Sequence, residues 1–366
     1  MIVKNEEEVL ARCLESVRGI VDEVIIIDTG STDKTKEIAL SFTEHVYDFE
    51  WCDDFSAARN YSFSKATCEY IMWLDADDYI TPEEQTRLLI LKRNFDNNID
   101  VAFLKYNIAF DSNGAVTCSN YRERILKRSM NFEWAEPVHE CITPRGEIRR
   151  FDIAITHGDK ARTHNTRNLD IYEKQLELTN RGRFYYAREL KEHHRYQEAI
   201  AQHEQFLTDG TGGVENNIRA CHDLFDCFNE TNEQKTAVKY LFETFLYDKP
   251  RAEACYKLGN YFFTQNNYEQ ATFWHLLALN PSSHHEGGFF NRDYCDFLPS
   301  LQMCIITWRL KNYDLSYKYH LQTKVIKPNH QSVKYNDEYF KNNYLNQKLS
   351  TTVDDQKINE RTNVDE

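Results

Sequence analysis

Three carboxylates crowd the segment Trp73-Leu74-Asp75-Ala76-Asp77-Asp78, directly after the apolar run Tyr70-Ile71-Met72-Trp73-Leu74. Asp75 and Asp77, separated by one small residue, can hold a hard divalent cation, and such a cation can hold a diphosphate. The same residues also suit an acidic turn before the helix opening Thr81-Pro82-Glu83-Glu84, with Asp78 as its cap. Asp28 ends the run Val24-Ile25-Ile26-Ile27 and could accept a hydrogen bond from a base or ribose, or cap the helix after Ser31. The planar fork of Arg59 suits a nucleobase carbonyl or a phosphate, and equally an ordinary surface position. Glu140 follows His139 in the aromatic-rich turn Phe132–Glu140, where bulky apolar neighbours raise a carboxylate's proton affinity as a general base requires. Glu136 suits that role less, because Pro137 fixes it in a turn. His157 ends Ile153-Ala154-Ile155-Thr156, a place for a further ligand to a cation held by carboxylates, or for a structural histidine.

The elements that must position these groups read as an α/β domain. Tyr70–Leu74 is continuously apolar, as in a strand buried on both faces of a parallel sheet. Acids at its end would lie at the mouth where open α/β sheets bind ligands. Strands at Val24–Ile27, His45–Tyr47 and Val101–Phe110 alternate with helices at Asn5–Arg18, Lys34–Phe42, Ser56–Ala66 and Pro82–Asn94. That alternation predicts a Rossmann-like, mostly parallel sheet over residues 1–165.

From residue 166 to 345 only helical periodicity remains, and Ala237 and Ala271 lie 34 residues apart, the period of a tetratricopeptide repeat. Leu258, Gly259, Phe262, Ala271 and Ala278 supply the small and large positions that let paired helices interlock. Weaker units surround Ala199, Leu224/Phe228/Ala237 and Met303/Ser316/Pro328, with insertions at Gly210–Gly213 and Ser282–Arg292. Stacked repeats present a concave surface for an extended peptide, or for a second subunit as a homodimer. Residues 346–366 are polar and aperiodic, and no folded structure is expected there.

Composition narrows the function classes. A chain of 366 residues with 41% hydrophobic and 13% aromatic content can bury a sizeable core. The net charge of -14 disfavours nucleic acid and anionic lipid. No leader peptide and no apolar run of roughly 18 residues is read, so no transmembrane segment is expected. The ten scattered cysteines form no C-x-x-C pair and suit reduced core thiols, which predicts a cytoplasmic protein.

Five stretches, in order, resemble family 2 glycosyltransferases with a GT-A fold: Met1–Glu7, Asp28–Asp33, Asp54–Asn60, Leu74–Asp77 and Val138–Glu140. With the helices that follow, the chain is similar to the SunS-like peptide glycosyltransferases, whose GT-A domain precedes tetratricopeptide-like repeats. The resemblance implies an inverting transferase that uses a nucleotide sugar, usually a UDP-sugar, with magnesium or manganese. By position, Asp28 and Arg59 would recognise the uridine, Asp75 the ribose or the metal, Asp77 the metal, His157 the metal, and Glu140 would be the catalytic base. Family members carry further apolar residues before the stretch matching Met1-Ile2-Val3, so a truncated chain start, or translation beginning upstream, is expected.

The expected function is transfer of a hexose to a Ser, Thr or Cys of a peptide or protein. An alternative within the same chemistry is an enzyme of lipopolysaccharide or surface polysaccharide. A non-enzyme alternative is a repeat scaffold with a degenerate sugar-nucleotide domain. A nucleotidyltransferase would need a Gly-rich phosphate loop near the first strand, where Val3-Lys4-Asn5-Glu6 offers none.

Overall fold

The computed structural model describes residues 1–110, 114, 116–158, 166–280, 282 and 291–345, so the expected polar tail and most of the Ser282–Arg292 insertion lie outside the described residues. The chain forms two compact units, Met1–Gly212 and Gly213–Glu366.

The first unit opens with β1 (Ile2–Val3), α1 (Leu10–Ser16), β2 (Ile26–Asp28), α2 (Thr35–Phe42) and β3 (Val46–Asp48). These strands make a parallel sheet in the order β1-β2-β3, which sets Val3, Asp28 and Asp48 level at one edge. Then come α3 (Phe55–Lys65), β4 (Tyr70–Met72), β5 (Asp78–Tyr79), α4 (Pro82–Arg93), β6 (Val101–Phe110), β7 (Val116–Lys127), β8 (Trp134–Ala135), β9 (Cys141–Ile142) and β10 (Ile148–His157). The second sheet has the order β4-β7-β6-β10-β5; β6 and β10 are parallel, and the other neighbours antiparallel. β8 and β9 form a separate two-stranded ribbon.

Local sequence explains where the helices start. The Asp54 carboxylate accepts from the Ala57 amide at the head of α3, and the Thr81 hydroxyl from the Glu84 amide at the head of α4. α4 adds Pro82 at its first turn, acids at Glu83 and Glu84, and Lys92 and Arg93 in its last turn, matching its macrodipole. Thr81 therefore fills the capping place expected for Asp78, which frees Asp78 for the interior. Cys13, Val17, Leu74, Ile80, Leu88, Leu104 and Ile155 join α1, α4 and the second sheet in one apolar core.

Among the described residues strand structure ends at His157, yet the first compact unit runs on through α5 (Arg167–Glu173), α6 (Asn180–Glu192) and α7 (Tyr196–Asp209). The second unit contains α8 (Val214–Glu230), α9 (Gln234–Glu243), α10 (Ala252–Thr264), α11 (Tyr268–Leu279), α12 (Phe297–Arg309), α13 (Tyr313–Ile326) and α14 (Gln331–Phe340). Helices pack in pairs: α6 on α7, α8 on α9, α10 on α11, α12 on α13.

The second helix of each pair buries residues at the same spacing of four and then three. They are Ala199/His203/Phe206, Ala237/Leu241/Thr244, Ala271/His275/Ala278 and Ser316/His320/Thr323. Such spacing lines one helical face. In the 34-residue repeat the fit is tightest: a Cβ on Gly259 would meet His275 Nε2 at 2.6 Å. Only glycine lets α10 approach α11 that closely. Among the described residues no helix is long and apolar enough to cross a membrane.

Candidate active site

The segment between β4 and β5 carries the acids, and its path is set by a buried ion pair. Asp78 is fully buried; its Oδ2 accepts from the Asp75 amide at 3.0 Å and from Arg124 Nη1 at 2.9 Å. The Arg124 guanidinium, also fully buried, lies between the rings of Trp73 at 3.9 Å and Tyr106 at 4.4 Å and donates to the Trp73 carbonyl. Aromatic faces and a carboxylate are what a desolvated guanidinium requires.

Asp75 and Asp77 separate into different surroundings. Asp75 Oδ1 accepts from Arg59 Nη2 at 2.7 Å, while Arg59 Nε donates to Glu140 Oε1 at 2.6 Å. Arg59 is 8% exposed, and its guanidinium rests against Trp134 and Trp73. Burial opposes ionisation of Asp75, but the charges of Arg59 and Arg124 overcome it and hold its carboxyl down at about 2.

Asp77 instead faces His157. Antiparallel pairing of β5 with β10 sets His157 opposite Asp78, and one ligand atom each of Asp77, Asp78 and His157 lie within 4.8 Å of one another. His157 Nδ1 shares a 2.9 Å hydrogen bond with the Tyr106 hydroxyl and lies 3.7 Å from Asp77 Oδ1. Burial, with Asp75 and Asp78 nearby, pushes the Asp77 carboxyl above its ordinary value. The closeness of Asp78 and Asp77 raises His157 against the opposing effect of burial.

The donor set fits a hard divalent ion: two carboxylates and an imidazole, with Asp78 Oδ1 buried and without a hydrogen-bond partner. Asp77 and His157 lie together with Asp78 as a third member, whereas Asp75, also expected near the metal, is held by Arg59 outside that cluster. Behind them, Gly158 N donates to the Asp77 carbonyl at 2.9 Å, and Arg12 Nη2 reaches the same oxygen. A Cβ on Gly158 would meet that carbonyl at 2.6 Å.

Asp28 sits at the end of β2, where its Oδ1 accepts from the Ser31 amide at 3.0 Å and from the Ser31 hydroxyl at 2.6 Å. Glu140 lies between β8 and β9. The turn before it is tied to α3 by reciprocal bonds between Asn60 and Trp134 and by Phe55 N donating to the Pro137 carbonyl. Glu136 accepts from the Thr179 hydroxyl at 2.7 Å and so anchors the turn to the head of α6.

Residue reading missed Arg124, Arg122, Tyr106 and Arg12. Arg122 lies over Trp73 at 5.1 Å, on the same strand as Arg124. Arg122 and Arg124 fall in the run Arg122-Glu123-Arg124, whose three consecutive charges hide the strand that carries them.

Residues 1–154 match the model of glycosyl transferase family 2. The N-terminal domain belongs to that family. The chain is 37% identical over 142 residues to a TPR repeat-containing protein of Synechococcus elongatus, covering 39% of this chain and 34% of that one. It is 27% identical over 218 residues to the SPbeta prophage-derived glycosyltransferase SunS of Bacillus subtilis, covering 55% of this chain and 50% of that one. The chain thus spans half or less of the length of these two curated relatives. A solved structure of Pseudomonas aeruginosa PilF covers 46% of this chain and 72% of its own, at 17% identity and a TM-score of 0.37.

Proposed function

We propose that the protein transfers a hexose, with inversion, from a UDP-sugar to a hydroxyl or thiol of a peptide or protein, using magnesium or manganese. The observation that carries this reading is the cluster of Asp77, Asp78 and His157 in a family 2 glycosyltransferase domain whose Arg59 also joins Asp75 to Glu140. Asp77 and His157, backed by Asp78, would hold the cation. When bound, it neutralises the diphosphate leaving group.

Asp28 faces the uridine and Asp75 the ribose, with Arg59 acting on the nucleoside through Asp75. Glu140 takes the proton of the acceptor hydroxyl or thiol. The acceptor atom bonds to the anomeric carbon as the bond to the diphosphate oxygen breaks, and UDP departs. The paired helices are the reason to favour a polypeptide acceptor, with pairing of two chains through the helical unit as a further use of that surface. Ten free cysteines favour the reducing cytoplasm as the place of reaction.

The test is UDP release from UDP-glucose with manganese, using cell extract as acceptor source. Asp77→Ala is expected to slow release by about a hundredfold or more. Equal release by wild type and Asp77→Ala, or none by either across common nucleotide sugars, would favour a non-catalytic scaffold.

A further inference from the structure

Helices α5 and α6, helical by sequence and lying beyond the last strand, touch the turn that carries Glu140 at five places. The turn is strained: Glu136 (φ 75°) and His139 (φ 52°) both occupy the left-handed region, on either side of Pro137 and Val138. Non-glycine residues hold such conformations only where their surroundings fix them. On one side α3 supplies the bonds to Trp134 and Pro137.

On the other side, Tyr172 of α5 donates from its hydroxyl to the Val138 carbonyl at 3.3 Å. Arg181 of α6 donates to the His139 carbonyl at 3.1 Å, and Thr179 binds Glu136. The His139 ring stacks on Tyr185, with centroids 4.3 Å apart and planes at 19°. Its Nε2 meets Glu189 Oε1 at 2.9 Å, an oxygen that also accepts from Asn168 Nδ2 at 3.1 Å. Both backbone carbonyls directly before Glu140, and the ring next to it, are therefore held from α5 and α6.

We infer that Glu189 is a positioning residue for Glu140: through His139 it fixes the turn that aims the carboxylate, which makes α5 and α6 working parts of the transferase domain. The inference rests on Glu140 being the base proposed above. A carboxylate aimed wrongly by one ångström is a poor base even when donor binding is intact.

The test uses the full chain with Glu189→Ala, Glu189→Gln and His139→Asn; Gln keeps an acceptor oxygen, and Asn tolerates the left-handed backbone. Two quantities are read: amide hydrogen exchange of residues 134–142 without substrate, and UDP release from UDP-glucose with manganese. Glu189→Ala is expected to speed exchange in that segment and to lower kcat by about tenfold or more, with KM for UDP-glucose within about twofold. Glu189→Gln should restore most of both, and His139→Asn should behave as Glu189→Ala.

Unchanged exchange in Glu189→Ala and His139→Asn overturns the inference, whatever the activity. So does faster exchange with undiminished kcat, when Glu140→Gln abolishes turnover. If Glu140→Gln turns over normally, the base assignment is what fails. The exchange result alone then decides whether the turn is held from α6.

Discussion

The first unit and the second both pair a buried acid with an arginine, Asp78 with Arg124 and Asp223 with Arg219, but the helical unit also buries rings that carry no charge. Beside Asp75 and Asp78 of the first unit the buried charges meet countercharges: Arg124 with Asp78, Arg59 with Asp75 and Glu140. In the helical unit His275 is buried with neither ring nitrogen hydrogen-bonded, and desolvation drives it down to about 4. His222 also falls to about 4, burial outweighing the nearby Glu253. The first arrangement keeps charge in the interior, where it can act on a ligand. The second keeps a neutral ring as filler, a task Leu241 performs at the same place in α9.

That contrast can be broken most severely at Arg124. Removing one partner of a buried ion pair leaves an uncompensated charge, so Arg124→Met should cost about 3–5 kcal/mol by denaturant unfolding. A loss below about 1 kcal/mol would mean that Asp78 takes up a proton or a new partner without strain.

Acidification gives the next effect, and here the two units differ in window. His222 and His275 have folded values near 4, below the ordinary histidine value of about 6.5. Between those limits the unfolded chain binds more protons. The contribution of these histidines is therefore present in full above about 6.5 and lost as pH falls towards 4, on the order of 3 kcal/mol for each ring. Asp75 lies near 2 against an ordinary carboxylate value near 4, so its contribution disappears only below about pH 4. Helical melting followed by circular dichroism at stepped pH should show the repeats yielding first. His275→Leu, which copies α9, should flatten part of the slope between about 6.5 and 4. An unaltered slope would show that His275 contributes none of it.

The smallest effect belongs to the tightest contact in the repeats. Gly259→Ala drives a methyl into the His275 ring and should cost about 1–3 kcal/mol. In the double variant with His275→Ala that cost should shrink, because the ring no longer occupies the space. Additive losses would place the strain elsewhere.

The sequence displayed some of this plainly. An apolar run ending in acids is visible without any fold, because both ingredients are contiguous. The strand at Val101–Phe110 and the interlocking Ala271 and Ala278 were equally local. Arg124 was hidden because its partner Asp78 is 46 residues away, and because three consecutive charges, Arg122-Glu123-Arg124, do not read as a buried strand. The same holds for Arg59 and Glu140, 81 residues apart. The rows of buried histidine in α7, α11 and α13 were missed since histidine counts as polar until its neighbours are known. Helices α5 and α6 look like the start of the repeats because periodicity records which face is buried, never against what.

Arg59 gives its two carboxylates a common account with a single cation. A shared guanidinium cannot lean towards one without leaning away from the other, so Asp75 and Glu140 are reciprocally coupled whatever binds at either. A group that engages Asp75 alters the binding of a second group at Glu140 by the same free energy by which that second group alters binding at Asp75.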